Sequence, residues 1–367
     1  MKVLWFNWKD SKNPLAGGAE YVNESLAKKL IEDGHEVKFI VAGYKNAKKE
    51  EIINGYTIIR VGNRLTVYIK AWLYYIKNLK GWPDIVIEEI NTIPFMTQLY
   101  VKEKRVLLIY QLCREIWFYE INKFFGMVGY IVEPIYLWLL RKNYVITESK
   151  STREDLKRYG FSSDKISIFP IMIEDQFLGQ QISNRVENND FTILSLGSIR
   201  PMKRTLDQIL AFEIAKKSIP ELRLIVAGDN KSEYGYKIMS YIRDSQFVND
   251  ISILGRVTPE EKMKLLQSSH LILGTSVKEG WGLTITEASA LGTPAVVYDV
   301  DGLRDSVRNE DTGLVVRTTP EDLAMAIVRL YKDKELYLKL QRIGGEKSLT
   351  FSLNHSYNDF VSMLLKR

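Results

Sequence analysis

Short apolar runs alternate with amphipathic stretches along most of the chain. Residues 2–8 are almost continuously apolar and read as a buried strand. A loop over 9–18 follows, and then Val22, Leu26, Leu30 and Ile31 recur at helical spacing while Lys28, Lys29, Glu32 and Asp33 take the opposite face. Gly34 stops this helix and residues 36–42 form the next strand. Strand, helix, strand in that order predicts a parallel sheet. Further strands are expected at 84–88, 105–110 and 166–169. The polar, aperiodic run 180–190 reads as a linker, after which a second series opens with a strand at 191–196 and a helix at 205–217. Strands at 221–228 and 251–254 and helices at 259–268, 320–333, 335–347 and 353–366 continue it. The fold class is α/β, in two domains.

Two segments depart from this rhythm. Residues 64–82 interleave Arg64, Lys70, Lys77 and Lys80 with Trp72, Leu73, Tyr74, Tyr75 and Trp82. They fit either a helix packed on the sheet or one lying on an anionic membrane surface. Residues 124–140 are apolar and aromatic but contain Glu133 and Pro134, and are short for a membrane span. A hydrophobic acceptor groove or a surface-seeking helix suits them better, with Arg141 and Lys142 placed for lipid headgroups.

Composition narrows the classes. The chain has 367 residues, 46% hydrophobic and 26% charged, as in a soluble globular protein of about two domains. Its one cysteine, Cys113, excludes an internal disulfide. The first residues run straight into a strand with no signal-peptide h-region, so a cytoplasmic location is expected. The net charge of +6 permits anionic partners, and no nucleic-acid-binding signature accompanies it.

The densest chemistry lies between Glu279 and Pro294, Glu-Gly-Trp-Gly-Leu-Thr-Ile-Thr-Glu-Ala-Ser-Ala-Leu-Gly-Thr-Pro. It sits between apolar runs at 270–274 and 295–298, so it reads as strand, glycine-rich loop, helix, strand. A helix starting near Thr284 past such a loop offers free N–H groups and a positive dipole end to a phosphate. Glu279 and Glu287 suit hydroxyl groups instead. Anion and polyol side by side suggest a nucleotide-sugar. Thr284–Glu287 also spells a capping box, in which Glu287 only caps its own helix. In the second domain's first loop Arg200, Lys203 and Arg204 crowd a helix start, an arrangement that calls for an anion. Asp299-Val-Asp301 could be read as a metal motif, but fits poorly after a Pro-led strand, and no metal site is expected.

With its seven residues between two glutamates, its Glu-Gly-aromatic-Gly-Leu opening and its Glu-Ala-x-Ala-x-Gly-x-Pro close, this stretch resembles the signature of family-4 retaining glycosyltransferases. The resemblance implies the GT-B arrangement: two Rossmann-like domains facing across a cleft, over 1–180 and 181–350, with a last helix at 351–367 crossing back to the first. It implies transfer of a sugar from a nucleotide-diphosphate donor to a glycan, lipid-linked or small-molecule acceptor, with no cofactor besides that co-substrate. Lys203 matches the family's diphosphate lysine, and Arg200 or Arg204 would replace its arginine, since Ser198 stands at that position. Glu279 would hold the sugar and Glu287 the ribose. Gly280, Trp281, Gly282, Leu283 and Thr284 would form the donor loop, and Arg256 and Val257 would border the nucleobase. Gly17, Gly18 and Glu20 match the loop that closes over the donor and borders the acceptor. Tyr110 and Gln111 stand where the family carries a sugar-contacting histidine. Two other readings stay open: a non-catalytic binding partner on this scaffold, or a nucleotide-sugar epimerase or phosphorylase.

Overall fold

The computed structural model describes residues 1–179 and 190–366. The expected linker and the boundary at 180/181 lie outside the described residues. The chain divides into two compact units. The first comprises Met1–Arg114, Val128–Met172 and Leu353–Arg367; the second comprises Glu115–Met127 and Ile173–Ser352. Residues 115–127, drawn by the sequence into the first domain, thus group with the second.

The first unit is built on strands β1 (Lys2–Phe6), β2 (Glu36–Val41), β3 (Glu50–Ile53), β4 (Tyr56–Arg60), β5 (Ile85–Glu89), β6 (Lys104–Leu108), β7 (Tyr144–Thr147) and β8 (Ile166–Ile168). They form one sheet in the order β3-β4-β2-β1-β5-β6-β7-β8, parallel except for β3. The β3–β4 hairpin is absent from the sequence reading above. Its turn is Asn54-Gly55, both at positive φ, which is the two-residue hairpin signal. The right-handed crossover rule puts the helix Gly18–Glu32 on one face and the connections after β4, β5 and β6 on the other.

Side-chain alternation in β1 serves both faces. Trp5 stacks on Phe39 and on Phe360 of the last helix, Leu353–Leu365, with ring centroids 5.1 and 6.0 Å apart. That helix is tied down by the Tyr357 hydroxyl, which donates to Asp33 at 2.6 Å. Leu4 and Phe6 point the other way, into a core with Val67, Ala71, Tyr75 and Leu79, four residues apart along the next helical segment. That segment is an α-helix over Val67–Tyr74 ending in a π-turn at Tyr75–Leu79. The apolar run at 124–140 is an 18-residue helix, Lys123–Leu140, and among the described residues it alone is long and apolar enough to cross a membrane. It is the β6–β7 crossover, and Tyr136, Leu137 and Leu140 are buried in the core beneath it.

The second unit carries β9 (Thr192–Leu196), β10 (Arg223–Ala227), β11 (Ile251–Gly255), β12 (Leu271–Gly274), β13 (Ala295–Tyr298) and β14 (Gly313–Val316). All are parallel, in the order β11-β10-β9-β12-β13-β14. The order reverses between β9 and β12. In open parallel sheets ligands bind beyond the carboxyl ends of the two strands where this happens. One face of the sheet packs on Ile209, Phe212, Ile238 and Ile327, the other on Leu266, Ile285 and Ala288.

Candidate active site

The two loops that leave the carboxyl ends of β9 and β12 are sewn together. The Val277 N–H donates to the Met202 carbonyl at 2.8 Å. The Thr275 hydroxyl donates to the Lys203 carbonyl at 2.8 Å and accepts from Gln208 at 2.7 Å. Lys203 thereby meets Glu279: its ammonium pairs with Glu279 Oε1, which also accepts from the Ser276 hydroxyl. Both side chains remain reachable, at 29% and 18% exposure. Burial pushes the Glu279 carboxyl up, but the charge and hydrogen bond of Lys203, the Ser276 hydroxyl and the charge of Arg200 outweigh it and hold it below the usual carboxylate range. Glu279 is therefore ionised at neutral pH.

The backbone beneath Glu279 is fixed from the far side. Its N–H donates to the Asp301 carbonyl at 3.0 Å. Gly302, at φ +80, packs so closely that a Cβ there would lie 2.2 Å from the Glu279 carbonyl. The Asp299-Val-Asp301 run is already neutralised: Asp301 pairs with Lys278 at 2.7 Å and Arg304 at 3.2 Å, and Asp299 pairs with Arg304 at 2.8 Å. The motif props the loop.

Gly282 caps the helix Leu283–Ala290 at φ +118, a left-handed backbone that favours glycine, and no side chain caps that end. Among the described residues the first-turn N–H groups of Leu283 and Thr284 meet no side-chain cap. The capping-box reading of Glu287 fails for the same reason: with Gly282 at the cap, Glu287 lies a turn inside the helix. It is 4% exposed and Lys262, from the helix Pro259–Ser268, donates to its Oε1 at 2.6 Å. Oε2 also lies 2.6 Å from that ammonium, yet is buried without a hydrogen bond of its own. Burial pushes this carboxyl up, against the pull of Lys262. Trp281 donates its indole N–H to Thr286 at 2.8 Å and packs edge-on against Phe351, so it braces the loop, while Gly280 is buried.

The three cations of the β9 loop separate. Arg200 stands close enough to lower the Glu279 carboxyl, and makes a long 3.4 Å ion pair with Glu120. Arg204 does not join them. Its backbone is left-handed at φ +49, and its guanidinium lies 6.0 Å from the Tyr298 ring. Arg200 is thus the arginine beside Lys203. Arg256 and Val257 follow β11, two strands from β9; Arg256 is exposed and Val257 half-buried.

The first unit has its own reversal of strand order, between β1 and β5, and polar groups collect there too. Gly17 caps the helix Gly18–Glu32, and its N–H donates to Glu20 Oε2 at 2.7 Å. Lys9 pairs with that oxygen at 3.1 Å, and Oε1 is buried without a hydrogen-bond partner. Glu20 is therefore first a helix cap. Tyr110 is 6% exposed and its hydroxyl donates to Asn23 Oδ1 at 2.7 Å, so it is committed within the unit rather than presented in place of a histidine. Gln111 is half-buried with its Oε1 unpaired, and Gly17 and Gly18 are exposed. Sequence reasoning missed Glu89, at the end of β5. It accepts from Asn23 and, at 2.7 Å, from Asn91. Burial and then the charge of Glu20 push its carboxyl up to about 8. The signal was present in Glu88-Glu89, two carboxylates closing an apolar run.

Residues 180–347 match the family described as glycosyl transferases group 1, and residues 16–177 match glycosyltransferase family 4. The chain belongs to the group 1, family 4 glycosyltransferases. An uncharacterised glycosyltransferase of Methanocaldococcus jannaschii is 24% identical to it over 364 residues, covering 91% of this chain and 90% of that one. Among solved structures, sucrose-phosphate synthase of Thermosynechococcus elongatus superposes with a TM-score of 0.81 at 17% identity, covering 100% of this chain and 98% of that one. HepE of Anabaena, in complex with UDP-glucose, superposes with a TM-score of 0.76 at 14% identity and covers 100% of both. The glycosyltransferase thus has the GT-B fold, with the Lys203–Glu279 pair at the strand-order reversal of its second sheet.

Proposed function

We propose that this glycosyltransferase moves a sugar from a nucleoside-diphosphate donor to a hydroxyl acceptor, with retention at the anomeric carbon and with protein cations rather than a metal neutralising the diphosphate. The observation that carries the reading is the Lys203–Glu279 pair at the carboxyl ends of β9 and β12, beside a helix start that no side chain caps. A diphosphate satisfies Lys203, Arg200 and the N–H groups of Leu283 and Thr284 together. Glu279 is then left to accept from sugar hydroxyls, as it now accepts from Ser276. Glu287, whose Oε2 meets only the Lys262 ammonium and forms no hydrogen bond of its own, suits a ribose hydroxyl. The complex of HepE with UDP-glucose supports a donor of this type.

In the reaction the bond from the anomeric carbon to the phosphate oxygen breaks and a bond to the acceptor oxygen forms on the same face. The departing phosphate oxygen takes the acceptor proton. Positive character grows on the sugar ring beside the ionised Glu279, and negative charge grows on the diphosphate beside Lys203. The acceptor is a glycan, a lipid-linked sugar or a small molecule. Incubating the purified chain with a panel of nucleotide-sugars, with and without simple acceptors, tests this. Transfer or slow hydrolysis of one donor, with the released anomer matching the donor, is expected; an inverted product, an epimerised donor or a requirement for free phosphate would overturn it.

The enclosed Tyr110 hydroxyl favours a second reading, a non-catalytic donor-binding subunit. Tight donor binding with no turnover would establish it.

A further inference from the structure

We propose that one face of the first unit docks on an anionic lipid bilayer. The inference is independent of the sugar chemistry. Three segments share that face, as their right-handed crossovers require: residues 64–80 before β5, 93–103 between β5 and β6, and 128–142 between β6 and β7. They are contiguous. The rings of Trp72 and Tyr100 are 6.4 Å apart, and Gln98 donates to the Leu139 carbonyl at 3.4 Å.

Each segment buries one stripe and exposes another that is also apolar. Outside the buried stripe of the first, Ile69, Trp72, Leu73 and Ile76 face solvent, and Leu65 is 84% exposed. In the second Leu99 is 74% exposed. In the third the exposed positions include Val128, Ile131, Val132, Ile135, Trp138 and Leu139, which recur every three or four residues along a full helix face. An ordinary solvent face of such a helix would be polar.

Charge identifies the occupant. The first segment contributes Arg64, Lys70, Lys77 and Lys80, the second Lys102, the third Arg141 and Lys142, all exposed but the half-exposed Arg141. Against these seven cations stand two carboxylates, Glu103 and Glu133, so these segments hold five of the chain's six net positive charges. Both carboxylates are hydrogen-bonded within the unit, Glu133 buried and Glu103 half-exposed. Glu133 accepts the Cys113 and Arg114 N–H groups at 2.7 Å, and Glu103 accepts from the Tyr75 hydroxyl and the Gly81 N–H. Among the described residues none of the seven cations forms an ion pair with a carboxylate, and Arg141 lies over the Trp138 ring at 3.9 Å. Apolar and indole side chains bordered by cations that outnumber the carboxylates seven to two complement acidic headgroups over acyl chains. A protein partner would require acidic residues to meet all seven; a second copy of this face would set cations against cations.

Flotation of the full chain with phosphatidylcholine vesicles, with and without phosphatidylglycerol and at low and high salt, tests the proposal. Binding is expected only to the anionic vesicles, falling steeply with salt. The triple variant Lys70→Glu, Lys77→Glu, Lys80→Glu should weaken partitioning by about fivefold or more for each cation lost. Ile131→Gln with Ile135→Gln should abolish insertion; if that variant fails to fold, the charge-reversal variant, altered only at exposed positions, carries the test. Donor hydrolysis in lipid-free buffer should be unchanged in the charge variant, which separates this proposal from the catalytic one. No flotation with phosphatidylglycerol, equal flotation with neutral vesicles, or a lipid-free dimer that the Ile131 and Ile135 changes dissolve would overturn it.

Discussion

The Lys203 ammonium pairs with Glu279 Oε1 and thereby joins the loop after β9 to the loop after β12, at the one place in the second sheet where strand order reverses. The two residues are 76 positions apart in sequence. Lys203 keeps the Glu279 carboxyl ionised, the state the proposed reaction needs. In the proposed reaction a bound diphosphate would compete with Glu279 for Lys203 and so free the glutamate for the sugar.

Replacing Lys203 by Ala removes one preorganised charge at the departing diphosphate. Turnover of the donor should fall on the order of 10²–10³-fold, with the circular dichroism spectrum unchanged. Glu279 loses the largest of the influences that lower its carboxyl, so the acid limb of the pH–rate profile should move to higher pH. An unmoved limb would show that Glu279 is not the group that profile reports.

Glu287 acts on binding alone in this account. Glu287→Gln weakens one charge-assisted hydrogen bond to a ribose hydroxyl, so KM for the donor should rise roughly 10- to 100-fold with kcat little changed. Steady-state kinetics separates the two constants. A fall in kcat at constant KM would assign Glu287 to the chemical step instead.

The Gly302 position links stability to the site. Ala there requires a left-handed backbone, costing roughly 1–2 kcal/mol, and its Cβ would press on the Glu279 carbonyl. Gly34→Ala, also at positive φ but with nothing within 4 Å, carries the backbone cost alone. Both variants should melt earlier by thermal denaturation, and only Gly302→Ala should lose donor affinity.

Stability should also depend on pH through Glu89. Its carboxyl is raised from 4.5 to about 8 in the folded chain, so the folded state holds a proton that the unfolded chain gives up. That contribution is fully present below about pH 4.5 and is lost as pH rises to about 8. Denaturant titrations of Glu89→Gln should show a flatter decline across that window than the parent chain. Identical slopes would place the ionisation elsewhere.

Periodicity and punctuation made most of the architecture legible. Val22, Leu26 and Leu30 marked a helix, and the stretch from Glu279 to Pro294 carried spacing, glycines and flanking strands that agree with one another. The β3–β4 hairpin was legible in Asn54-Gly55 and passed over. What stayed hidden depends on side-chain direction and distant partners. Arg200, Lys203 and Arg204 are equivalent as letters, and only the left-handed backbone at Arg204 turns that one away. Thr284–Glu287 spells a capping box, but Gly282 takes the cap and leaves Glu287 to Lys262, 25 residues away in sequence. Tyr110 could not be seen to spend its hydroxyl on Asn23, nor Glu89 to sit against Asn23 and Asn91.

Calorimetric titration with free nucleoside diphosphates probes the Lys203 site itself. At least one should bind the parent chain, and Lys203→Ala should weaken it by about tenfold or more, as loss of a charge-assisted hydrogen bond implies. No binding by any nucleoside diphosphate, or equal affinity in the parent and in Lys203→Ala, would contradict the account.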